Sequence, residues 1–139
     1  MSRAKGATMK VQHRQPVEQV RVKMTRVLVV DDHEGFRSCA RELLQAEGFD
    51  VVGEAKDGAS ALARAAELMP DWVLLDIQLP DIDGFEVAAR VAVFDAPPVI
   101  VLTSSRDARD FGSLIADSGA RGFIEKAELS GEAMAALIG

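Results

Sequence analysis

Short apolar runs alternate along the chain with longer segments in which apolar residues recur every three or four positions. Runs of this length, bounded by turn residues, are typical of strands that are buried on both faces of a sheet. We predict five such strands, at residues 27–30, 50–55, 72–76, 99–103 and 122–126. The segments between them have the spacing of amphipathic helices, with one apolar side turned towards the sheet.

Each predicted helix has its own apolar stripe and its own stop signal. The first stripe includes Cys39, which we therefore expect to lie in the core, and the helix ends at Gly48. The second helix follows an Asp57-Gly58 turn and ends before Pro70, and the third is capped by Asp83. The inward residues of the last three helices are predicted to be Phe85, Ala88, Val91 and Ala92, then Phe111, Leu114 and Ile115, then apolar positions within 129–138.

Five repeats of strand and helix, joined by short links, predict an α/β fold. Parallel strands need crossover helices, and right-handed crossovers place those helices on both faces of the sheet. We therefore expect a doubly wound five-stranded parallel sheet with helices on both faces. At 139 residues the chain has the size of one domain.

Charge is distributed unevenly. Residues 1–26 hold seven Lys/Arg and one acid, for a net charge of +6, while the rest of the chain carries −12. We predict a basic, flexible N-terminal extension at residues 1–25 and a compact domain at 26–139. The acidic body repels nucleic acid and favours a bound cation, so we expect no direct nucleic-acid binding.

The composition also bears on location. No apolar run approaches the roughly 20 residues that cross a bilayer, so we expect no membrane segment. Cys39 is the only cysteine and cannot form an internal disulfide. This usage fits a reducing compartment, and the expected location is the cytoplasm.

Polar side chains stand where the predicted strands end. The first strand leads into Asp31 and Asp32, the third ends at Asp76, the fourth at Thr103 and the fifth at Lys126. In a parallel sheet all these ends lie on one edge, which is where such folds bind ligands. Three carboxylates favour a hard divalent cation such as Mg²⁺, and the hydroxyl and ammonium favour an anion beside it. Together they predict a phosphoryl-transfer site with a carboxylate as nucleophile.

Four motifs, in this order, resemble the receiver domain of bacterial two-component response regulators. They are Val-Val-Asp-Asp-His at 29–33, Leu-Leu-Asp-Ile-Gln-Leu-Pro-Asp-Ile-Asp-Gly at 74–84, Val-Leu-Thr-Ser at 101–104 and Gly-Ala-Arg-Gly-Phe-Ile-Glu-Lys at 119–126. The resemblance covers residues 26–138 and implies the flavodoxin-like receiver fold. It also implies a signalling phosphoacceptor rather than an enzyme acting on other substrates.

The resemblance implies a role for each site residue. Asp76 would accept a phosphoryl group from a sensor histidine kinase. Asp32 would bind Mg²⁺ directly and Asp31 largely through water, with Asp76 and the backbone carbonyl of Gln78 as further ligands. His33 is interpreted as a surface residue at the start of a helix.

Other positions would transmit the change. Thr103 and Lys126 would contact the phosphoryl oxygens, and Phe123 occupies the aromatic switch position that responds to Thr103. The surface formed by the fourth helix, the fifth strand and the fifth helix would then bind a downstream protein or output domain, and a homodimer through it is possible. Where the family usually has proline after the lysine, this chain has Ala127.

Several alternatives stay open from the sequence. Ala127-Glu128-Leu129 and the Asp-Asp-His motif resemble receivers of helix-turn-helix DNA-binding regulators, so the chain is either a single-domain regulator or a receiver from a longer transcription factor. A degenerate receiver would act as an unswitched docking module. An aspartyl-phosphate phosphatase would need an acid where Gln78 stands, and a flavin or nucleotide domain would need a phosphate loop in place of the acids at 31–34.

Overall fold

The computed structural model describes residues 25–138, which form a single sheet with helices on both faces. The strands are β1 (Arg26–Val30), β2 (Asp50–Ala55), β3 (Trp72–Asp76), β4 (Val99–Ser104) and β5 (Gly122–Glu125). The helices are α1 (Glu34–Glu47), α2 (Gly58–Leu68), α3 (Gly84–Val91), α4 (Leu114–Asp117) and α5 (Gly131–Ala136), with 3-10 turns at Ala108–Phe111 and Lys126–Glu128. Apart from Thr25, the predicted basic extension lies outside the described residues, as does Gly139.

The five strands are all parallel and are arranged in the order β2-β1-β3-β4-β5. The α/β prediction of a doubly wound parallel sheet is confirmed. Because β1 and β3 are neighbours, the residues that follow Val30 and Leu75 emerge side by side at the carboxyl edge. No helix within residues 25–138 combines the length and apolar character that a bilayer crossing needs.

The core has two layers, one on each face of the sheet. Alternate residues of β1 enter opposite layers, with Leu28 and Val30 on one face and Val27 and Val29 on the other. The first layer packs against α2 and α3, and the second packs against α1 and α5. Apolar surface buried on both faces explains why these strands are continuous apolar runs rather than alternating ones.

The fourth helix differs most from its prediction. Instead of one amphipathic helix, a 3-10 turn and the single turn α4 are separated by Gly112, whose φ of 57° and ψ of −127° interrupt helical hydrogen bonding. Phe111 and Ile115 pack against the core as predicted, but Leu114 is 53% exposed. A glycine with this backbone conformation ends a helix regardless of the apolar spacing around it.

Two inward-facing predictions were also wrong. Cys39 is exposed, because the buried face of α1 is centred on Ala40 and Leu44 and position 39 lies at its margin. In α3, Val87 is buried with Ala88 and Val91, while Ala92 lies beyond the end of the helix and is exposed. The predicted caps Asp57 and Asp83 are confirmed, since each accepts a backbone hydrogen bond from its helix.

Gly84 brings the start of α3 against the end of β3. Its N–H donates to the Ile77 carbonyl at 2.7 Å, and a Cβ at this position would lie 2.5 Å from the Asp76 carbonyl oxygen and 2.8 Å from Ile77 Cα. All of these neighbours are backbone atoms of the segment that carries Asp76. Only glycine permits this close approach.

We expect Gly84→Ala to lower the free energy of unfolding by about 1–3 kcal/mol, the usual cost of forcing an extra carbon into a close-packed site. Urea unfolding followed by the fluorescence of the buried Trp72 measures this change. Gly35→Ala is the matched control, because a Cβ at Gly35 meets nothing within 4 Å. Its effect should be neutral or stabilising by at most about 1 kcal/mol. Equal losses in both variants would contradict the close-approach account.

Candidate functional site

Two buried carboxylates lie next to each other at the carboxyl edge of the sheet. Asp31 directly follows β1, and Asp76 is the last residue of the neighbouring strand β3. Asp31 is 0% exposed and Asp76 is 2% exposed. Carboxylates are rarely buried so completely without a cation, so this pair requires a positive partner.

Lys126 supplies that positive charge from the far side of β4. It was predicted as the last residue of the fifth strand, but β5 ends at Glu125 and Lys126 begins the 3-10 turn that follows; its side chain crosses the end of β4. Its Nζ lies 2.6 Å from Asp31 Oδ2 and 3.3 Å from Asp76 Oδ2. The ammonium also lies 4.8 Å from the centre of the Phe36 ring, a favourable cation–π contact.

The pKa values of Asp76 and Lys126 indicate that the cluster has more negative than positive charge. Burial and the neighbouring charge of Asp31 raise the pKa of Asp76 to about 6, although Lys126 and the Gln78 N–H oppose the shift. Burial alone would lower the pKa of Lys126, but its close contact with Asp31 and the charge of Asp76 raise it. The single ammonium of Lys126 is therefore shared by two carboxylates and neutralises their charge only in part.

Two buried oxygens at the site are not satisfied by hydrogen bonds. Thr103 pairs with Asp76 in the register of β3 and β4, and its Oγ1 has no hydrogen-bond partner among the described residues. Asp31 Oδ2 likewise has no donor in hydrogen-bonding geometry, despite its short contact with Lys126. Buried polar groups are nearly always paired, so the unpaired hydroxyl of Thr103 marks a place for a further ligand.

Asp32 and His33 extend the cluster towards solvent. The side chain of Asp32 is 34% exposed, and its Oδ1 lies 3.1 Å from His33 Nδ1. The His33 N–H donates to Asp31 Oδ1 at 2.8 Å, which fixes the Asp31 carboxylate. The three side chains are close enough to hold one metal ion. A set dominated by carboxylate oxygens suits a hard divalent cation such as Mg²⁺.

Gln78 lies in the loop between β3 and α3. Its N–H donates to Asp76 Oδ1 at 3.2 Å, and its side-chain Oε1 accepts from Ser104 Oγ at 3.4 Å. The loop backbone is thus held beside the Asp76 carboxylate. That its carbonyl binds the metal stays a prediction.

Phe123 belongs to a chain of three aromatic rings. It is half-buried, and its ring centre lies 6.3 Å from that of Phe111, which in turn lies 6.0 Å from Phe85. Phe123 is connected to the site through β5, because the next residue, Ile124, pairs with Thr103 of β4. The motifs in the sequence identified Phe123, but the contacts with Phe111 and Phe85 are tertiary and had no local signal.

Arg37 is a site neighbour that the sequence did not single out. Its guanidinium donates to the Asp31 backbone carbonyl at 2.7 Å and to Glu54 Oε1 at 2.9 Å. It therefore ties the end of β1 to the edge strand β2. The position of Arg37, six residues after Asp31 on α1, gives the only sequence hint of this contact.

The raised pKa of Asp76 predicts that the free energy of unfolding of the metal-free protein depends on pH. Because the folded state binds this proton more tightly than the unfolded state does, the stability that the neutral carboxyl provides is full below about pH 4 and is lost as pH rises towards about 6. At pH 7 we therefore expect Asp76→Asn to raise the free energy of unfolding by roughly 3 kcal/mol. The gain should shrink towards pH 4.

Urea unfolding of both proteins in EDTA, at several pH values, measures this difference. Titrating groups away from the cluster are common to both proteins and cancel in the comparison, so the pH dependence of the difference reports on Asp76 together with its partners Asp31 and Lys126. A difference that does not change with pH would show that the Asp76 carboxylate is not destabilised by its surroundings.

Comparisons with known proteins agree with this geometry. The family model for the response regulator receiver domain matches residues 27–138. A putative transcriptional regulator of Pseudomonas aeruginosa is 39% identical over 105 residues, which make up 76% of this chain and 51% of that protein. The chain thus spans about half the length of the curated transcriptional regulators it matches.

Solved structures show the same fold. The receiver domain of the putative response regulator NarL from Mycobacterium tuberculosis has a TM-score of 0.71 and 36% identity, covering 83% of this chain and 97% of that one. A CheX–CheY complex with BeF₃ and Mg²⁺ from Borrelia burgdorferi has a TM-score of 0.73 and 25% identity, covering 82% and 86%. The match to the family model, the fold and the cluster of side chains at the carboxyl edge of the sheet agree: this chain belongs to the response regulator receiver domain family of two-component systems.

Proposed function

We propose that this chain is a phosphoacceptor switch that takes a phosphoryl group from a sensor histidine kinase onto Asp76 in a Mg²⁺-dependent reaction. The observation that supports this most strongly is a buried carboxylate, short of positive charge, whose neighbour in the sheet is an unsatisfied hydroxyl. An incoming phosphoryl group would supply the acceptor that Thr103 lacks.

The oxygens of Asp31, Asp32, Asp76 and the Gln78 carbonyl would hold the metal. Bound there, Mg²⁺ would neutralise charge shared by the carboxylates and the phosphoryl oxygens. The neighbouring carboxylates of Asp31 and Asp32, which lie close enough to share one ion, fit this hard cation. The related Borrelia complex contains BeF₃ and Mg²⁺, which supports the same pairing of cation and anion here.

The side chains of this chain would then carry the transfer. A carboxylate oxygen of Asp76 attacks phosphorus, and the P–N bond to the kinase histidine breaks with its electron pair left on the imidazole nitrogen. Lys126 already lies 3.3 Å from Asp76 and would neutralise the phosphoryl oxygens, while Thr103 would donate its hydroxyl proton to one of them. The product is an acyl phosphate, and the chain would catalyse only this phosphorylation and the later hydrolysis of the acyl phosphate, which releases inorganic phosphate.

The switch would follow from the movement of Thr103. Phe123 pairs with Leu102, the residue before Thr103, and we propose that a shift of Thr103 towards the phosphoryl group would leave room for the Phe123 ring to turn inward. The ring of Phe123 contacts Phe111, so the 3-10 turn before α4 would move with it. We propose that α4, β5 and α5 form the surface that reads out this change.

The partners follow from this role. A histidine kinase would supply the phosphoryl group on the cytoplasmic side, and a downstream protein or an output domain would bind the readout surface. Curated relatives are transcriptional regulators about twice as long as the matched region, which supports an output domain as one such partner. A cluster that fits both Mg²⁺ and a phosphoryl group favours a switched receiver over an unswitched docking module.

Incubation with acetyl phosphate should give a single phosphoryl adduct in the wild-type protein. The adduct should require Mg²⁺ and should be absent in Asp76→Asn, because the amide is a poor nucleophile and lacks charge. Intact-mass spectrometry measures the adduct, and Asp57→Asn, at the cap of α2 and outside the site, is the control that should still be modified.

Equal modification of wild type and Asp76→Asn would contradict the assignment of the nucleophile. Equal modification with EDTA would contradict the metal requirement. If rapid hydrolysis hides the adduct, binding of fluoroberyllate with Mg²⁺ gives the same comparison without turnover.

A further inference from the structure

The loop between β3 and α3, residues 77–83, is tied to the site at both of its ends. The Ile77 N–H donates to the Thr103 carbonyl at 2.9 Å, and the Gly84 N–H donates to the Ile77 carbonyl at 2.7 Å. Between these ties the loop carries Gln78, the proposed backbone ligand. What fixes the middle of the loop therefore bears on the geometry of the metal site.

Asp81 attaches the middle of the loop to a different helix. Its Oδ1 accepts the Gly58 N–H at 2.7 Å and its Oδ2 accepts the Ala59 N–H at 2.9 Å, both at the start of α2. The backbone hydrogen bonds from Gly58, Ala59 and Ile82 lower the pKa of Asp81 to about 2, so the carboxylate stays ionised at neutral pH. A carboxylate at a helix N-terminus also interacts favourably with the helix dipole.

Close packing accompanies these hydrogen bonds. A Cβ at Gly58 would overlap Cγ1 of Ile82 and lie 2.9 Å from its Cδ1. The start of α2 therefore approaches the loop as closely as its backbone permits. A movement of the start of α2 would therefore displace Ile82 of the loop, and a movement of Ile82 would displace the start of α2.

The helix already has a cap of its own. The Asp57 side chain accepts the Ser60 N–H at 2.8 Å, and Ser60 Oγ in turn accepts the Asp57 N–H at 3.3 Å. Asp57 and Asp81 thus divide the free N–H groups of the first turn between them, with Ser60 on one and Gly58 and Ala59 on the other. Among the hydrogen bonds of residues 25–138, those of Asp81 join α2 to the site loop, whereas those of Asp57 stay within the start of α2.

We propose that Asp81 is a positioning residue for the metal site: by holding residues 77–83 against the start of α2, it places the Gln78 carbonyl and couples α2 to ion binding. This inference rests on the proposed function, because it assumes that Mg²⁺ binds beside Asp76. The coupling is reciprocal by thermodynamic linkage. Ion binding therefore tightens the contact between Asp81 and α2, and loss of that contact weakens ion binding.

Calorimetric titration with Mg²⁺ tests the inference on three variants of the full chain. Groups that hold metal ligands in place usually contribute 10- to 100-fold in affinity, so we expect Asp81→Ala to raise the Kd for Mg²⁺ by about tenfold. Asp81→Asn keeps one acceptor oxygen and should give a smaller increase. Asp57→Ala removes the other carboxylate from the same helix terminus and should leave the Kd unchanged.

Hydrogen exchange provides a readout that general destabilisation would not move. Mg²⁺ should slow amide exchange at Gly58 and Ala59 in the wild type and in Asp57→Ala, but not in Asp81→Ala. Urea unfolding of each variant checks that it is folded, and Asp81→Asn carries the test if Asp81→Ala does not fold.

The outcomes separate this inference from the proposed function. If the wild type binds Mg²⁺ and the Asp81 variants bind it equally well, the positioning role is overturned and the phosphoacceptor proposal stands. An equal loss of affinity in Asp57→Ala would also overturn it, since any weakening of α2 would then suffice. If the wild type binds no Mg²⁺, the proposed function fails and the inference fails with it.

Discussion

The site depends on one interaction, the ammonium of Lys126 held between the buried carboxylates of Asp31 and Asp76. Two adjacent strands, β1 and β3, bring the carboxylates together, and the side chain that offsets their charge comes from the turn after β5, on the far side of β4. The parallel order of the strands is what places these groups at one edge. Neutralisation is incomplete, since the pKa of Asp76 remains raised to about 6.

Most of the surrounding structure holds that unfavourable cluster in place. Gly84 allows α3 to begin directly against the Asp76 carbonyl, and Asp81 fastens the intervening loop to α2. Arg37 fastens the residue after β1 to the edge of the sheet. The apolar layers on both faces of the sheet stabilise the fold and so offset the unfavourable burial of charge at its edge, as is common at functional sites. The unsatisfied hydroxyl of Thr103 is consistent with a site completed by ligand.

Sequence patterns predicted the features that follow from local rules. Apolar runs predicted all five strands, and the rule that parallel strands end on one edge predicted that Asp31, Asp76, Thr103 and Lys126 lie together. Features that depend on contacts between distant segments had no such signal. The aromatic contacts of Phe111, the bonds of Asp81 to α2 and the exposure of Cys39 are set by packing, and Gly112 broke a helix that apolar spacing alone predicts.

A crystal structure of the protein with fluoroberyllate and Mg²⁺ tests the central claim most directly. If the cluster is an incomplete phosphoryl site, the fluoroberyllate will lie on Asp76, Thr103 Oγ1 will gain its missing partner there, and Lys126 Nζ will move from Asp31 Oδ2 to a fluorine. The metal ion will then bind beside Asp31, where the Lys126 ammonium had been. A structure in which Lys126 keeps its contact with Asp31 and Thr103 Oγ1 stays unpaired would contradict the account.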